Sequence, residues 1–197
     1  EGGKAISICR VPPELLQEFA ARLLAAFGVD AGQCEDVAEN LIWNDLAGRN
    51  NHGVGRLPIL LERVKKGLIK CPCTPKFDQL ADNIQRLDGD NGFGQYIGAR
   101  ALRTALKMAQ THGSGIVGAH NSNFFGTGAY FIERAAQSGM IALALSNSFA
   151  KVAAFGGVTP VLGTNPFAFG APRRNGRALL VDMSTAGLAG STLRDKM

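Results

Sequence analysis

Hydrophobic residues recur at helical spacing over the first third of the chain. Leu15, Leu16, Phe19, Leu23 and Leu24 follow Pro12 and Pro13, which suit a first helical turn, and Gly28 is placed to close the segment. Asp30 then offers an N-cap to a second helix, with Val37, Leu41 and Ile42 on its apolar face and Trp43 beside them. A third helix is expected after His52-Gly53, through residues 57–68, with a Lys/Arg-rich outer face. The two prolines within residues 71–75 break the pattern and read as a linker.

From about residue 80 the pattern changes. Residues 84–87 read as a short strand ending in Asp88-Gly89-Asp90-Asn91-Gly92, a turn cluster. Residues 93–111 predict an amphipathic helix, with Ala and Leu recurring every three or four positions and Gly113 at its end. A strand at 116–119, a helix at 129–137 and strands at 141–145 and 179–182 follow. This alternation predicts a mixed α/β (α+β) fold, with a helical N-terminal domain over residues 1–78 and a sheet domain over 79–197. Residues 191–196 look like the opening turns of a helix, so the second domain is expected to lack its C-terminal part.

Composition narrows the class. Of the 197 residues, 46% are hydrophobic and 19% charged, which excludes a disordered or fibrous chain. The 25 glycines lie mostly after position 87 and suggest tight turns and close backbone approach. The net charge is +5 and the pI about 9.2. The basic residues are scattered, densest at Arg63-Val64-Lys65-Lys66 and Arg173-Arg174, and form no stripe with interleaved aromatics. That argues against a nucleic-acid partner and fits an anionic substrate or a phosphate-bearing cofactor. Cys9, Cys34, Cys71 and Cys73 make no disulfide framework, and Cys71-Pro72-Cys73 has neither the spacing nor the second pair of a zinc knuckle. Free thiols, no metal and a cytoplasmic location are expected. No segment has a signal-peptide pattern or the apolar length of a bilayer span, so no membrane partner is expected.

Chemistry concentrates in a few segments. In Gly48-Arg49-Asn50-Asn51-His52-Gly53-Val54-Gly55-Arg56, an imidazole that titrates near neutrality lies four residues from a guanidinium able to grip a carboxylate. The plainer reading is an Asn/His/Gly turn with Arg56 in solvent. His112, before Gly113, sits where a helix dipole favours a partly charged imidazole. His120 enters the loop Asn121-Ser122-Asn123-Phe124-Phe125-Gly126-Thr127-Gly128. Small residues and backbone donors there lead into a helix and could cradle a phosphate, or simply connect two elements. The loop lacks the G-x-G-x-x-G spacing of a Rossmann turn. Residues 156–172, nearly all turn formers and apolar residues, could wall a flat ligand or cross between strands. No nucleophile elbow, Walker loop or two-carboxylate pattern is present.

Five motifs in order then carry a resemblance: Asn51-His52-Gly53-Val54-Gly55-Arg56-Leu57-Pro58, Asp88-Gly89-Asp90-Asn91-Gly92-Phe93-Gly94-Gln95, Asn121-Ser122-Asn123-Phe124-Phe125-Gly126, Gly163-Thr164-Asn165-Pro166 and Val181-Asp182-Met183-Ser184-Thr185. Together they resemble the malate/L-lactate dehydrogenase family of the second, non-Rossmann type, which includes Δ1-piperideine-2-carboxylate/Δ1-pyrroline-2-carboxylate reductases. The resemblance implies a homodimer using NADH or NADPH, with a distinctive cofactor fold and a site between two domains. It implies His52 as proton donor, with Asn51 beside it in the catalytic pair. Arg56 would bind the substrate carboxylate, and Thr164 would also contact the substrate. Phe124, Phe125, Gly126, Thr127 and Gly128, with Asp182, Met183 and Ser184, would contact the cofactor. Three departures stand out. Asn51 takes the place of a common Ser. Phe124 stands where relatives often carry His, which leaves proton transfer to His52. Gly190-Ser191-Thr192 lacks the Arg-Gly-acid/Lys pattern that would supply an acidic partner.

The expected reaction is hydride transfer to C2 of a small 2-oxo acid or cyclic 2-imino acid. The Phe124, Phe125 and Phe167 cluster tilts the expectation toward a cyclic imine. The rival reading is a non-catalytic cofactor-binding relative or an inactive fragment.

Overall fold

The computed structural model describes residues 10–174 and 176–186. The helices of the first third form where the periodicity places them. Helix α1 covers Pro13–Ala26 with Pro13 in its first turn, and Gly28 ends it at φ +81°. Helix α2, Ala31–Leu46, is capped by Asp30, whose side chain accepts the Gln33 amide at 3.1 Å. Helix α3, Leu57–Lys65, stops short of residue 68 because Gly67 turns the chain at φ +67°, leaving Leu68 exposed. Ala20, Leu24, Val37, Leu41, Leu57, Leu60, Leu61 and Ile69 close a common core, to which Phe93 adds its ring from the next unit. Each fully buried Leu, Ile or Phe contributes about 1.5–3 kcal/mol.

Strand β1, Lys76–Ala81, pairs antiparallel with β2, Ile84–Gly92, and β2 pairs parallel with β3, Ile116–Ser122. Helix α4, Gly94–His112, makes the crossover between the parallel strands and ends at Gly113 with φ +80°. The cluster Asp88-Gly89-Asp90-Asn91-Gly92 is not a simple turn but the distorted end of β2. Its register with β3 slips between Asp88 and Gly92, and Asp90 and Asn91 sit at φ +48° and +56°.

After helix α5, Gly128–Gln137, a second sheet orders β4 (Ala142–Leu145), β7 (Phe167–Ala171) and β8 (Leu179–Met183), all antiparallel. Between β4 and β7, β5 (Val152–Ala153) pairs with β6 (Pro160–Leu162). Residues 156–172 therefore supply β6 and the central strand β7. Helix α5 covers one face of this sheet. Ala168 is buried, and a Cβ at Gly170 would come within 2.9 Å of the Ile132 backbone carbonyl. The architecture is the mixed α/β fold expected, with one parallel strand pair and no Rossmann sheet among the described residues. Among those residues Cys34, Cys71 and Cys73 are free thiols, and no helix is long and apolar enough to cross a membrane. Cys9 and Gly190-Ser191-Thr192, like the helical opening expected at 191–196, lie outside the described residues.

Candidate active site

The chain leaves α2 through Gly48 at φ +73° and makes two successive 3₁₀ turns, Asn50–His52 and Val54–Arg56, before α3 begins. Gly53 joins them because nothing larger fits: a Cβ there would lie 1.8 Å from the Asp45 carboxylate. Asp45 uses that proximity to accept the Val54 amide at 2.7 Å, tying the turn to the end of α2.

His52 is half-buried in this turn. Its Nδ1 lies 2.7 Å from the Asn51 Oδ1. An amide oxygen only accepts, so the contact keeps the proton on Nδ1 and leaves Nε2 as the basic nitrogen. The ring stacks on Phe124 with centroids 5.7 Å apart and planes at 25°. Arg56 lies over the same phenyl ring at 5.3 Å, and its Nε donates to the Asn51 carbonyl at 2.6 Å. His52, Asn51, Arg56 and Phe124 are thus one cluster drawn from two distant segments. Burial, then the Arg56 charge, then the Arg49 charge lower the His52 pKa to about 4, against a smaller opposing pull from Asp182. The imidazole is neutral at physiological pH.

Helix α2 also fixes the Phe124 loop. Asn40 and Asn44, both fully buried, lie one helical turn apart, and Asn44 donates to the Asn40 carbonyl at 2.8 Å. Asn40 donates to the Phe125 carbonyl at 3.4 Å, and Asn44 accepts the Thr127 hydroxyl at 2.7 Å. Gly126, at φ +91°, packs against Asn40, where a Cβ would come within 2.4 Å of its side-chain oxygen. The Phe125 ring turns away from His52 and stacks on Phe131 at 5.6 Å. Arg63 from α3 holds the loop's other end through Asn123 at 2.9 Å.

At the start of α5 the anion position is already filled. Asp182 Oδ2 accepts the Ala129 amide at 3.0 Å and the Arg49 Nη1 at 2.7 Å, with the carboxylate side chain only 6% exposed. The chain's own carboxylate therefore occupies a backbone donor that the loop reading offered to a phosphate. Gly128 lies against the same residue, its Cβ position 3.5 Å from Asp182 Oδ1. Thr164 lies in a hydroxyl cluster with Ser148 and Ser184. Its amide donates to Ser148 Oγ at 2.8 Å, the two hydroxyls lie 3.0 Å apart, and Ser184 donates to the Thr164 carbonyl at 3.0 Å. Met183 alternates to the other face of β8, with Leu179 and Val181, and is exposed.

The structure thus gathers two groups, His52/Asn51/Arg56/Phe124 and Thr164/Ser148/Ser184, while Asp182 of β8 pairs with Arg49, three residues before His52. Sequence reading gave no role to Asp45, Asn40, Asn44, Arg49 or Ser148. Asn40 and Asn44 carried a usable signal, two amides at i,i+4 beside the apolar positions of a helix. Ser148 carried none.

These features define a mixed α/β protein with an imidazole–guanidinium cluster and no Rossmann sheet among the described residues. The malate/L-lactate dehydrogenase family model matches residues 11–196, and the chain belongs to that family. It is 39% identical over 177 residues to a malate dehydrogenase of Pyrococcus abyssi, covering 90% of this chain and 49% of the relative. Its fold is similar to the structure of malate dehydrogenase from Pyrococcus horikoshii, with TM-score 0.91 and 35% identity over 98% of this chain and 56% of that one. It is also similar to Δ1-piperideine-2-carboxylate reductase from Pseudomonas syringae, with TM-score 0.90 and 28% identity over 95% of this chain and 57% of that one. The chain spans about half the length of the curated relatives it matches.

Proposed function

We propose that this chain carries the proton-transfer site of an NAD(P)H-dependent oxidoreductase acting at C2 of a small 2-oxo or cyclic 2-imino acid. The observation that carries the reading is the His52–Arg56 arrangement, an imidazole with its basic Nε2 left open beside a guanidinium, both against Phe124. Arg56 grips the substrate carboxylate, and such fixation contributes up to roughly 7–11 kcal/mol when the reacting atoms are well aligned. His52 Nε2 exchanges a proton with the oxygen or nitrogen on C2, a step typically contributing about 10²–10⁴-fold.

The low proton affinity of His52 gives this step a direction. Neutral Nε2 is ready to accept a proton from a 2-hydroxy acid. In the reductive direction the imidazole must first gain one, and a substrate carboxylate on Arg56 offsets one of the two arginine charges that resist it. Proton uptake and substrate binding are therefore coupled. Reduction is expected to slow as pH rises and oxidation to slow as pH falls; kcat/KM profiles in both directions check this.

NADH or NADPH, when bound, supplies the hydride. The donor set fits the neutral polar parts of such a cofactor: Ser148, Thr164 and Ser184 offer hydroxyls, while Asp182 already occupies the Ala129 amide at the start of α5. We assign Phe124, Ser184 and the backbone of Gly126, Thr127 and Gly128 to its contacts, with Thr164 shared with substrate. Phe125 and Asp182 support these contacts from behind, and Met183 faces the other way.

A homodimer belongs to the same reading, supported by the apolar outer face of the second sheet at Leu143, Leu145, Val181 and Met183. Sedimentation of the full-length protein tests it, and a monomer at all concentrations overturns it. A cytoplasmic location is supported by the free thiols. The test of the activity is oxidation of NADH and NADPH by the full-length protein with pyruvate, oxaloacetate, Δ1-pyrroline-2-carboxylate and Δ1-piperideine-2-carboxylate. Turnover with one of them names the branch. Cofactor binding without turnover on any favours a binding protein.

A further inference from the structure

Arg49 lies three residues before His52, at the start of its 3₁₀ turn, and Asp182 lies on β8 in another layer of the fold. Their 2.7 Å contact joins the His52 turn to the second sheet, and the same Asp182 oxygen takes the first amide past Gly128. The pair is asymmetric. Asp182 is almost wholly enclosed, whereas the Arg49 side chain is 38% exposed. An enclosed carboxylate is costly unless compensated, so Arg49 is required there for more than surface decoration. Neither residue touches the imidazole, yet both are near enough for their charges to act on it, and with opposite sign.

The geometry points to Arg49 and Asp182 as paired positioning residues for His52: the His52 amide donates to the Arg49 carbonyl at 2.8 Å, and the Arg49 guanidinium is held at 2.7 Å by Asp182, so a cation and an anion from separate layers are fixed beside the imidazole. This inference rests on the role of His52 proposed above. Among the described residues, the other charges facing the turn are Arg56, on the next 3₁₀ turn, and Asp45, on α2, whose carboxylate is engaged by the Val54 amide. From α3, Arg63 is directed to Asn123 on the loop. Arg56 is reserved for substrate, so the Arg49–Asp182 pair is the part of the field that stays fixed through turnover.

The sign of each change follows. Neutralising Asp182 leaves Arg49 uncompensated and makes His52 harder to protonate. Neutralising Arg49 leaves an anion near the ring and makes protonation easier. Removing both charges returns His52 close to its starting point. The experiment is NMR titration of the imidazole C–H signals in the full chain and in Arg49→Gln, Asp182→Asn and the double variant. With three histidines in the sequence, assignment by a His52→Asn spectrum is direct.

The expected result is opposite displacements of roughly half a pH unit or more in the single variants, with the double variant near wild type. In the reductive direction the kcat/KM profile moves the same way, because easier protonation extends it to higher pH. Displacements of the same sign, or none, overturn the inference, since a purely structural tie would damage both variants alike. The NMR readout needs no turnover, so its failure is distinct from failure of the catalytic role, which is read from His52→Ala.

Discussion

At the residue scale the site turns on His52, a half-buried imidazole between two arginines. Its pKa near 4 lies below the ordinary 6.5, so it is neutral in the fold. Below pH 6.5 the unfolded chain takes up a proton that the folded chain refuses, so stability falls from pH 6.5 to about pH 4, at roughly 1.4 kcal/mol per pH unit before screening. Above pH 6.5 the contribution is complete. Replacing His52 by Asn removes this slope. Denaturant unfolding at pH 7.5 and pH 5 is expected to show wild type losing more stability than His52→Asn, and equal losses would contradict the assignment. Phe124 is the second lever. Phe124→Ala exposes the ring that it stacks against, and NMR is expected to find the His52 pKa moving up toward its ordinary value. Much of this residue-level picture was legible in the sequence, because His52, Arg56 and Phe124 stand in short recognisable motifs. The Nδ1 contact of His52 was only half legible. Asn51 was visible as a neighbour, but whether its amide faces the ring depends on the 3₁₀ turn.

At the element scale, α2 organises the site, holding the His52 turn through Asp45 and the Phe124 loop through Asn40 and Asn44. Gly53→Ala must push the Asp45 carboxylate off the Val54 amide. A loss of about 1–3 kcal/mol from overpacking is expected, with reduced turnover, and a thermal or denaturant midpoint at the wild-type value would refute it. Asn44→Leu strands the buried Thr127 hydroxyl, at about 1–3 kcal/mol, and loosens the loop that presents Phe124. Its kcat is expected to fall along with its stability. Helices α1, α2, α4 and α5 were readable because each buries one stripe of a 3.6-residue pattern. Strands β1 and β6 were not: β1 is exposed along nearly its whole length and β6 along all of it, so neither shows a two-residue alternation. β7 hides among glycines and prolines, its small residues selected by contact with α5. The Asp88–Gly92 region reads as a turn from composition, but β3 beside it draws the backbone into the sheet.

At the scale of the whole molecule, the helical unit supplies His52 and Arg56, and the loop and second sheet supply Phe124, Asp182, Thr164 and Ser184. The proposed site therefore depends on how these layers are held together, which no local pattern reports. The Arg49–Asp182 contact crosses 133 positions of sequence and the Asn44–Thr127 contact crosses 83, beyond the reach of spacing arguments. Family membership was legible because five motifs keep their order across the chain. Substrate choice was not, because the side chains that would discriminate a cyclic imine from an open-chain 2-oxo acid are set by the three-dimensional pocket. The proposed activity requires His52 as the group that moves the proton. The most direct test is steady-state kinetics of the full-length His52→Ala variant on the preferred substrate, alongside its cofactor dissociation constant. The expected result is a fall in kcat of about 10²–10⁴-fold with cofactor affinity close to wild type. Turnover at the wild-type rate would contradict it.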